Sequence, residues 1–278
     1  MPELPEVETV ARGLQKRLAG DVIESVWVGE KKQPLKSSAQ EIVAALEGSR
    51  IVQARRVGKH IAIDLERVPQ TRISAATRSL ATQWIVHLGM TGSMLVTSSE
   101  TPIEKHTHLI AKMASGKELR YVDPRMFGKL AVVQETFKAP GSEPLDIDLE
   151  SFAKLFRKRK TPIKSALLNQ SLLSGVGNIY ADESLARAGI RPRRRAASLT
   201  RADLKKLYDA LKKVLHEAIA AGGSSVSDYV DADGERGFFQ IKHLVYGREG
   251  QPCRKCRTPV KRIVIAGRSS HFCPKCQK

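Results

Sequence analysis

Within its first six residues, Met1-Pro2-Glu3-Leu4-Pro5-Glu6, the chain sets a proline between a removable methionine and two carboxylates. Loss of Met1 converts Pro2 into an N-terminal secondary amine. An α-amino group titrates near ~8, so much of it is an unprotonated nucleophile at neutral pH without deep burial. Its attack on an aldehyde-like carbon gives a cationic iminium, a strong electron sink, with Glu3 and Glu6 as candidate acid and base. A plainer reading competes: proline suits a first helical turn, and acids suit the positive end of the helix dipole. The other chemical cluster lies at the far end. Cys253-Arg254-Lys255-Cys256 and Cys273-Pro274-Lys275-Cys276, sixteen residues apart, have the spacing of a four-cysteine zinc ribbon. Four thiolates close the coordination sphere, so the single Zn2+ expected there is structural. All four cysteines fall in the last 26 residues, which in a reducing compartment favours a metal over two disulfides.

The charge balance points to a partner. The 47 Lys and Arg against 29 Asp and Glu leave +18, and the sequence pI is near 9.9. Such an excess calls for a polyanion, and nucleic acid is favoured over a membrane because no apolar run approaches the ~18 residues of a span. The cations cluster: Arg157-Lys158-Arg159-Lys160, then Arg191 and Arg193-Arg194-Arg195, then a tail from Cys253 to Lys278 with eight basic residues and no acid. No basic segment followed by an apolar one opens the chain, so a cytoplasmic, nucleoid-associated protein is expected.

The elements that must position these groups fall into two halves. From Glu3 to Leu18, Val7, Val10, Leu14 and Leu18 recur on one helical face, and Gly20 stops the helix. Strand-like runs follow at Val22 to Val28, Ile51 to Leu65 and Trp84 to Leu88, with a short helix near Gln40 to Leu46. Leu109 to Met113 and Glu118 to Val122 form a hairpin across Ser115-Gly116, and Lys129 to Val133 adds a strand. Gly58-Lys59-His60 lies where a strand begins, and residues 67 to 82 read as a long polar excursion. The class is α+β, with a helix plus a β-sandwich over 1–139 and a linker at Pro140-Gly141-Ser142-Glu143-Pro144. The second half reads as helices at Ser151 to Arg157, Ile163 to Leu173, Ile179 to Ala188 and Ala202 to Ala221, in a helical domain over 145–240. Gly175-Val176-Gly177-Asn178 joins two of them as a tight turn, with Asn178 placed to cap the next helix and its amides suited to phosphate. Residues 224 to 239 form a Gly- and Asp-punctuated loop. Over 241–278, Arg262 to Ile265 and Ser270 to Phe272 make the ribbon's hairpin, presenting Arg268 at its tip.

Taken in order, Pro2-Glu3-Leu4-Pro5-Glu6, Lys59, His87-Leu88-Gly89-Met90, Asp123-Pro124-Arg125-Met126-Phe127-Gly128, Gly175-Val176-Gly177-Asn178-Ile179-Tyr180 and the four cysteines resemble the bacterial formamidopyrimidine-DNA glycosylases over nearly the whole chain. The resemblance implies a helix-two-turn-helix in the second domain and a bifunctional glycosylase and apurinic-site lyase acting, as a monomer, on oxidised purines in double-stranded DNA. Pro2 matches the family's nucleophile, Glu3 its acid, and Lys59 the lysine that assists elimination. Met90, Arg125 and Phe127 match the residues that fill the gap left by the extruded base, where an apolar wedge partly restores lost stacking. Arg125 suits the orphaned cytosine, whose edge offers acceptors to a guanidinium. Asn178 and Arg268 match the phosphate pincers, Arg268 also being placed with the catalytic set, and His106 and Lys164 join the expected DNA contacts. Met126 departs from the family's frequent arginine, which puts a backbone or phosphate contact there in doubt. His108, like His106, reads as a structural hydrogen-bonder, and Glu6 stays open between helix geometry and proton transfer. Two other readings compete. The sister enzyme endonuclease VIII, for oxidised pyrimidines, usually has glycine where this chain has Leu4. A catalytically silent zinc-ribbon DNA binder has no use for Pro2, Glu3 and Lys59 together.

Overall fold

Helix α1 (Leu4–Leu18) starts where Glu3, in extended backbone, takes the N-cap position, and Pro5 falls where a missing N–H costs nothing. Its buried stripe, Val7, Val10, Ala11, Leu14 and Leu18, faces a strand core, and Gly20 ends it with φ +87°. The computed structural model describes residues 1–68, 82–226 and 228–278. The polar excursion expected at 67 to 82 lies almost wholly outside the described residues. The chain divides into two units, Met1–Lys138 with Gly222–Gly237, and Ala139–Ala221 with Phe238–Lys278.

In the first unit α1 is followed by β1 (Ile23–Val28), α2 (Ala39–Leu46), β2 (Ser49–Val57), β3 (His60–Arg67), β4 (Thr82–His87), β5 (Ser93–Ser98), β6 (Thr107–Met113), β7 (Lys117–Val122) and β8 (Lys129–Val133). They form two antiparallel four-stranded sheets, β1-β6-β7-β5 and β2-β3-β4-β8. The inner faces share one core with α1, in which Trp84, Met94, Leu109, Leu119, Tyr121 and Leu130 are buried, so the expected sandwich is present. The run from Ile51 to Leu65 is a hairpin split at Gly58-Lys59, where Gly58 takes φ +61°. Strand β5 escaped the sequence reading because only Met94 and Val96 of Ser-Met-Leu-Val-Thr-Ser are buried, and apolar Leu95 between them and the polar residues on either side mask the alternation. Residues 222–237 pack on this unit: Val96 donates its N–H to Ala232 O at 2.9 Å, and Tyr229 and Ala232 lie in the core.

The second unit contains α3 (Leu149–Phe156), α4 (Ile163–Leu168), α5 (Asn178–Ala188), α6 (Arg201–Ala220) and the hairpin β9 (Lys261–Ile265) and β10 (Arg268–Phe272). Helix α6 is capped by Thr200, whose hydroxyl accepts the Asp203 N–H, and buries Leu204, Leu207, Leu211, Val214, Leu215 and Ala218. Helix α4 stops at Leu168 and does not reach Leu173, because Asn169 turns the chain and its Oδ1 accepts the Ser171 N–H at 2.9 Å. The segment Pro140 to Pro144 is docked and not a free linker: Gly141 N–H donates to Ser174 Oγ, and a Cβ at Gly141 would come within 2.5 Å of Gln170 O.

Candidate functional site

At the start of α1, Pro2, Glu3 and Glu6 are all buried, Glu3 at 3% and Glu6 at 1% exposure. The two acids have different surroundings. Glu6 Oε2 accepts the Glu3 N–H at 2.9 Å, its Oε1 accepts the Ser224 N–H at 2.7 Å, and its carbonyl accepts the Tyr229 hydroxyl at 3.2 Å. One carboxylate therefore fastens the helix start to the 222–237 segment. Gly223 has to be glycine there: its φ is +83°, and a Cβ would lie 2.9 Å from Glu6 Oε1. Ser225 extends the clasp, donating its hydroxyl to Tyr229 O and accepting the Gly237 N–H at 2.9 Å.

Lys59 sits half-buried in the two-residue turn between β2 and β3. That turn is braced to α1 through Arg56, whose Nη1 donates to Gly58 O at 3.1 Å and whose Nε pairs with Glu8 at 2.9 Å. Next to Lys59 a transverse row crosses the sheet: His60 pairs with His87, and His87 with Lys129. The two imidazoles stand 4.9 Å apart, and Phe137 covers His60 at 4.8 Å. Burial, with His60, Lys129 and Lys59 adding, pushes His87 down to about 4, so its ring is neutral. Its Nδ1 accepts the Gly89 N–H at 3.1 Å, an acceptor role that only the neutral ring can fill.

This bond begins the loop that carries Met90. Gly89 has φ +65°, and a Cβ there would stand 2.5 Å from Gly128 N and from Phe127 C, so the Met90 loop lies directly on the Arg125-Met126-Phe127 loop. Asp123, fully buried, joins the two. Its Oδ1 accepts the Thr91 hydroxyl at 2.6 Å, its Oδ2 accepts Gly128 N–H and the Tyr121 hydroxyl, and Thr91 Oγ1 accepts the Arg125 N–H. Met90, Arg125 and Phe127 stay exposed, Phe127 at 56%, the disposition a wedge requires. Met126 adopts φ +56°, and His106 φ +81°. His106 O accepts the Asp123 N–H, and the ring of buried His108 bonds Asp123 O at 2.9 Å, so both histidines help to position this loop. In the sequence Asp123 stands out only as part of a motif; its acid beside a glycine-bounded turn is the one signal of this hub.

In the second unit, Asn178 is the first residue of α5 and not its cap: Gly177 occupies the cap position, and Asn178 Nδ2 donates to Ser269 Oγ at 3.3 Å. Arg268 is exposed and opens β10, paired with Ile265 across a turn in which Ala266 and Gly267 both have positive φ, 47° and 73°. Lys164 is fully buried. Its Nζ donates to Ser269 O and pairs with Asp182, each at 2.6 Å. Asp182 also accepts the Ser270 hydroxyl and the His271 N–H. Lys164 and Asp182 thus clamp the strand that carries Arg268 onto α4 and α5. Sequence reasoning missed Asp182 and its neighbour Glu183, whose oxygens accept the N–H groups of Leu244, Val245 and Tyr246 at 2.8 to 2.9 Å. The legible signal was two adjacent acids in a helix whose run Ile179 to Leu185 is otherwise small or apolar.

The four cysteine sulfurs all lie within 4.8 Å of one another, with Cys253 and Cys276 4.0 Å apart and Cys256 and Cys273 3.4 Å apart. A tetrahedral zinc with Zn–S bonds of about 2.3 Å needs sulfurs about 3.8 Å apart, so this set fits one Zn2+. The Lys255 and Cys276 N–H groups point at Cys253 and Cys273 Sγ, each at 3.4 Å. No side chain beyond the four thiolates is needed, and the site is structural.

Family models match the chain in three places: the formamidopyrimidine-DNA glycosylase N-terminal domain over residues 1–130, the formamidopyrimidine-DNA glycosylase H2TH domain over 139–230, and a zinc finger found in FPG and IleRS over 250–278. A formamidopyrimidine-DNA glycosylase of Solibacter usitatus is 44% identical over 285 residues, covering 100% of both chains. Among solved structures, a Lactococcus lactis FPG mutant bound to a Fapy-dG containing DNA matches with TM-score 0.87 and 33% identity over 100% of both chains. MutM in complex with carbocyclic 8-oxo-G containing DNA matches with the same TM-score, 0.87, at 33% identity and 100% coverage of both chains.

Proposed function

The chain belongs to the formamidopyrimidine-DNA glycosylase family, and from that membership and the geometry above we propose that it excises oxidised purines, 8-oxoguanine and formamidopyrimidines, from duplex DNA and then cuts the strand. With Met1 removed, the Pro2 amine attacks C1′ of the damaged nucleotide, and the bond from C1′ to the base breaks with its electrons leaving on the base, which takes up a proton as the proline nitrogen loses its own. Glu3 supplies a proton to the sugar ring oxygen as the ring opens, leaving an iminium between Pro2 and C1′. The iminium acidifies C2′; loss of that proton expels the 3′ phosphate, and a second elimination expels the 5′ phosphate. Lys59, on its braced turn, serves these proton transfers, and Arg268 the last. Met90, Arg125 and Phe127 occupy the gap in the stack while the base is outside it. Asn178 and Arg268 hold backbone phosphate, with Lys164 positioning Arg268's strand from beneath. Zinc, when bound, fixes the hairpin that presents Arg268.

The observation that carries this reading is the division of labour between the acids. Glu6 spends both carboxylate oxygens on backbone N–H groups, one of them bridging to Ser224, 218 residues away, whereas Glu3, whose carboxylate takes part in the reciprocal capping box at the helix start, adjoins Pro2, which favours Glu3 for the acid role. Leu4 and the Met90, Arg125, Phe127 set favour oxidised purines over the pyrimidines of endonuclease VIII. The protein acts as a cytoplasmic monomer on double-stranded DNA; among the described residues no helix is long and apolar enough to cross a membrane. The test is borohydride trapping on duplex DNA with 8-oxoguanine opposite cytosine. A covalent complex is expected, and Pro2→Gly should largely abolish it. Tight binding with no trapped species identifies a silent binder and overturns the reading.

A further inference from the structure

Helix α1 is fixed on β2 by more than the ion pair between Glu8 and Arg56. Val7, Val10 and Ala11 share one apolar core with Ile51 and Ala54, and Gln15 Oε1 accepts the Ala54 N–H at 2.7 Å. A buried ion pair adds little stability to such a seam, because desolvating the two charges offsets most of their attraction. Yet the Arg56 side chain is only 7% exposed and that of Glu8 17%.

The placing of the pair gives it another use. Glu8 stands on α1, the helix that Glu3 caps, and divides its oxygens: Oε1 accepts Arg12 Nε at 2.7 Å and Oε2 accepts Arg56 Nε at 2.9 Å. Arg56 then reaches on with Nη1 to Gly58 O at 3.1 Å. That carbonyl belongs to the peptide bond joining Gly58 to Lys59. A peptide unit is planar, so holding its oxygen fixes the plane from which the Lys59 side chain departs. The hold acts at a permissive point: Gly58 takes φ +61°, in a two-residue turn closed by the Val57 and His60 pair, and a glycine by itself restrains the backbone least. A chain of contacts thus runs from the helix that follows Pro2 to the peptide that carries Lys59. We infer that Glu8 and Arg56 are positioning residues for strand cleavage, which hold the Lys59 turn in register with the Pro2 amine. This rests on the chemistry proposed above and divides it in two. Attack by Pro2 and proton delivery by Glu3 take place at the start of α1 and do not pass through the turn, whereas the eliminations that Lys59 serves do. A catalytic group displaced by about 1 Å can lose about a hundredfold in rate, so a turn that is loosened but still folded should lose about tenfold.

The test measures two rates with the zinc-loaded full chain in excess over DNA: release of 8-oxoguanine from a duplex in which it faces cytosine, and cleavage of a duplex with a preformed abasic site. Borohydride trapping on the abasic duplex counts the active molecules, so an unfolded fraction lowers the amplitude and leaves the ratio of the two rates unmoved. Glu8→Ala and Arg56→Met should each slow cleavage about tenfold and change release of 8-oxoguanine by less than about twofold. Since the two residues act as one unit, the double variant should be no slower than the slower single one. Arg12→Ala removes only the exposed partner of Glu8 and should leave both rates unchanged. Equal slowing of the two rates, unchanged cleavage, or multiplied losses in the double variant overturns the positioning role and leaves the excision reading standing. An unaltered protein that releases no 8-oxoguanine and is trapped on neither duplex overturns both.

Discussion

Acidification should destabilise the first unit chiefly through one imidazole. His87 titrates at about 4 in the folded protein because burial and the charges of His60, Lys129 and Lys59 oppose its cation, whereas in the unfolded chain it titrates near 6.5. A depressed histidine means that the unfolded state binds the proton more readily, so stability is intact above pH ~6.5 and drains away as pH falls toward the folded value of about 4. At pH 5 the unfolded state is stabilised by about 2 kcal/mol through this one group, and below pH 4 by about 3. His60, also lowered by burial, adds in the same direction. The lowered carboxylates Glu41, Asp148 and Asp203 lose their contributions as pH falls through and below the ordinary carboxylate range, and Glu183, whose carboxyl burial raises, lies in the second unit, so in the first unit a comparison of pH 7 with pH 5 reports chiefly the histidines. Both tryptophans, Trp27 and Trp84, lie in this unit, so their fluorescence during urea unfolding reports it alone. Wild type should lose about 2 kcal/mol more between pH 7 and 5 than His87→Gln, whose amide oxygen can still accept the Gly89 N–H. Equal losses in the two proteins would refute the reasoning.

Glu6→Gln leaves one of two buried N–H groups facing an amide NH2, which costs about 1–3 kcal/mol; single-turnover excision should fall roughly tenfold or more, whereas unchanged rates would mean that Glu6 does not set the site. Lys164→Met strands the Asp182 carboxylate in the protein and should cost about 3–5 kcal/mol in thermal unfolding. The double variant Lys164→Met, Asp182→Asn should recover much of that loss, and a double variant no better than the single would remove the ion pair from the account. Gly89→Ala forces a Cβ against Gly128 N and Phe127 C, 2.5 Å away. It should lower excision of 8-oxoguanine by about tenfold or more, equivalent to about 1.4 kcal/mol, while borohydride still traps the protein on an abasic duplex.

Much of the candidate site was legible because its chemistry is local. The proposed nucleophile, its proposed acid and the cysteine pairs occupy short motifs, and the helical period of α1 and α6 and the hairpin across Ser115-Gly116 follow from side-chain spacing. The missed features depend on contacts distant in sequence. Glu6 could not be assigned from its neighbours, since the group that fixes its role is the Ser224 N–H, 218 residues away. Asn178 looked like a cap because polarity before a helix usually means one; the hairpin 91 residues on uses its amide instead. Lys164 was expected to contact DNA, because nothing nearby in sequence announces Asp182 as its buried partner. Strand β5 was hidden for a different reason, a half-polar alternation with only two inward positions.

The most direct measurement is mass spectrometry of the protein trapped by borohydride on 8-oxoguanine duplex and then digested. The expected adduct lies on the N-terminal peptide, which begins at Pro2 with Met1 gone, and the remnant sugar is attached to the proline nitrogen. An adduct on Lys59, or a trapped chain that still carries Met1, would contradict the assignment of Pro2 as the nucleophile.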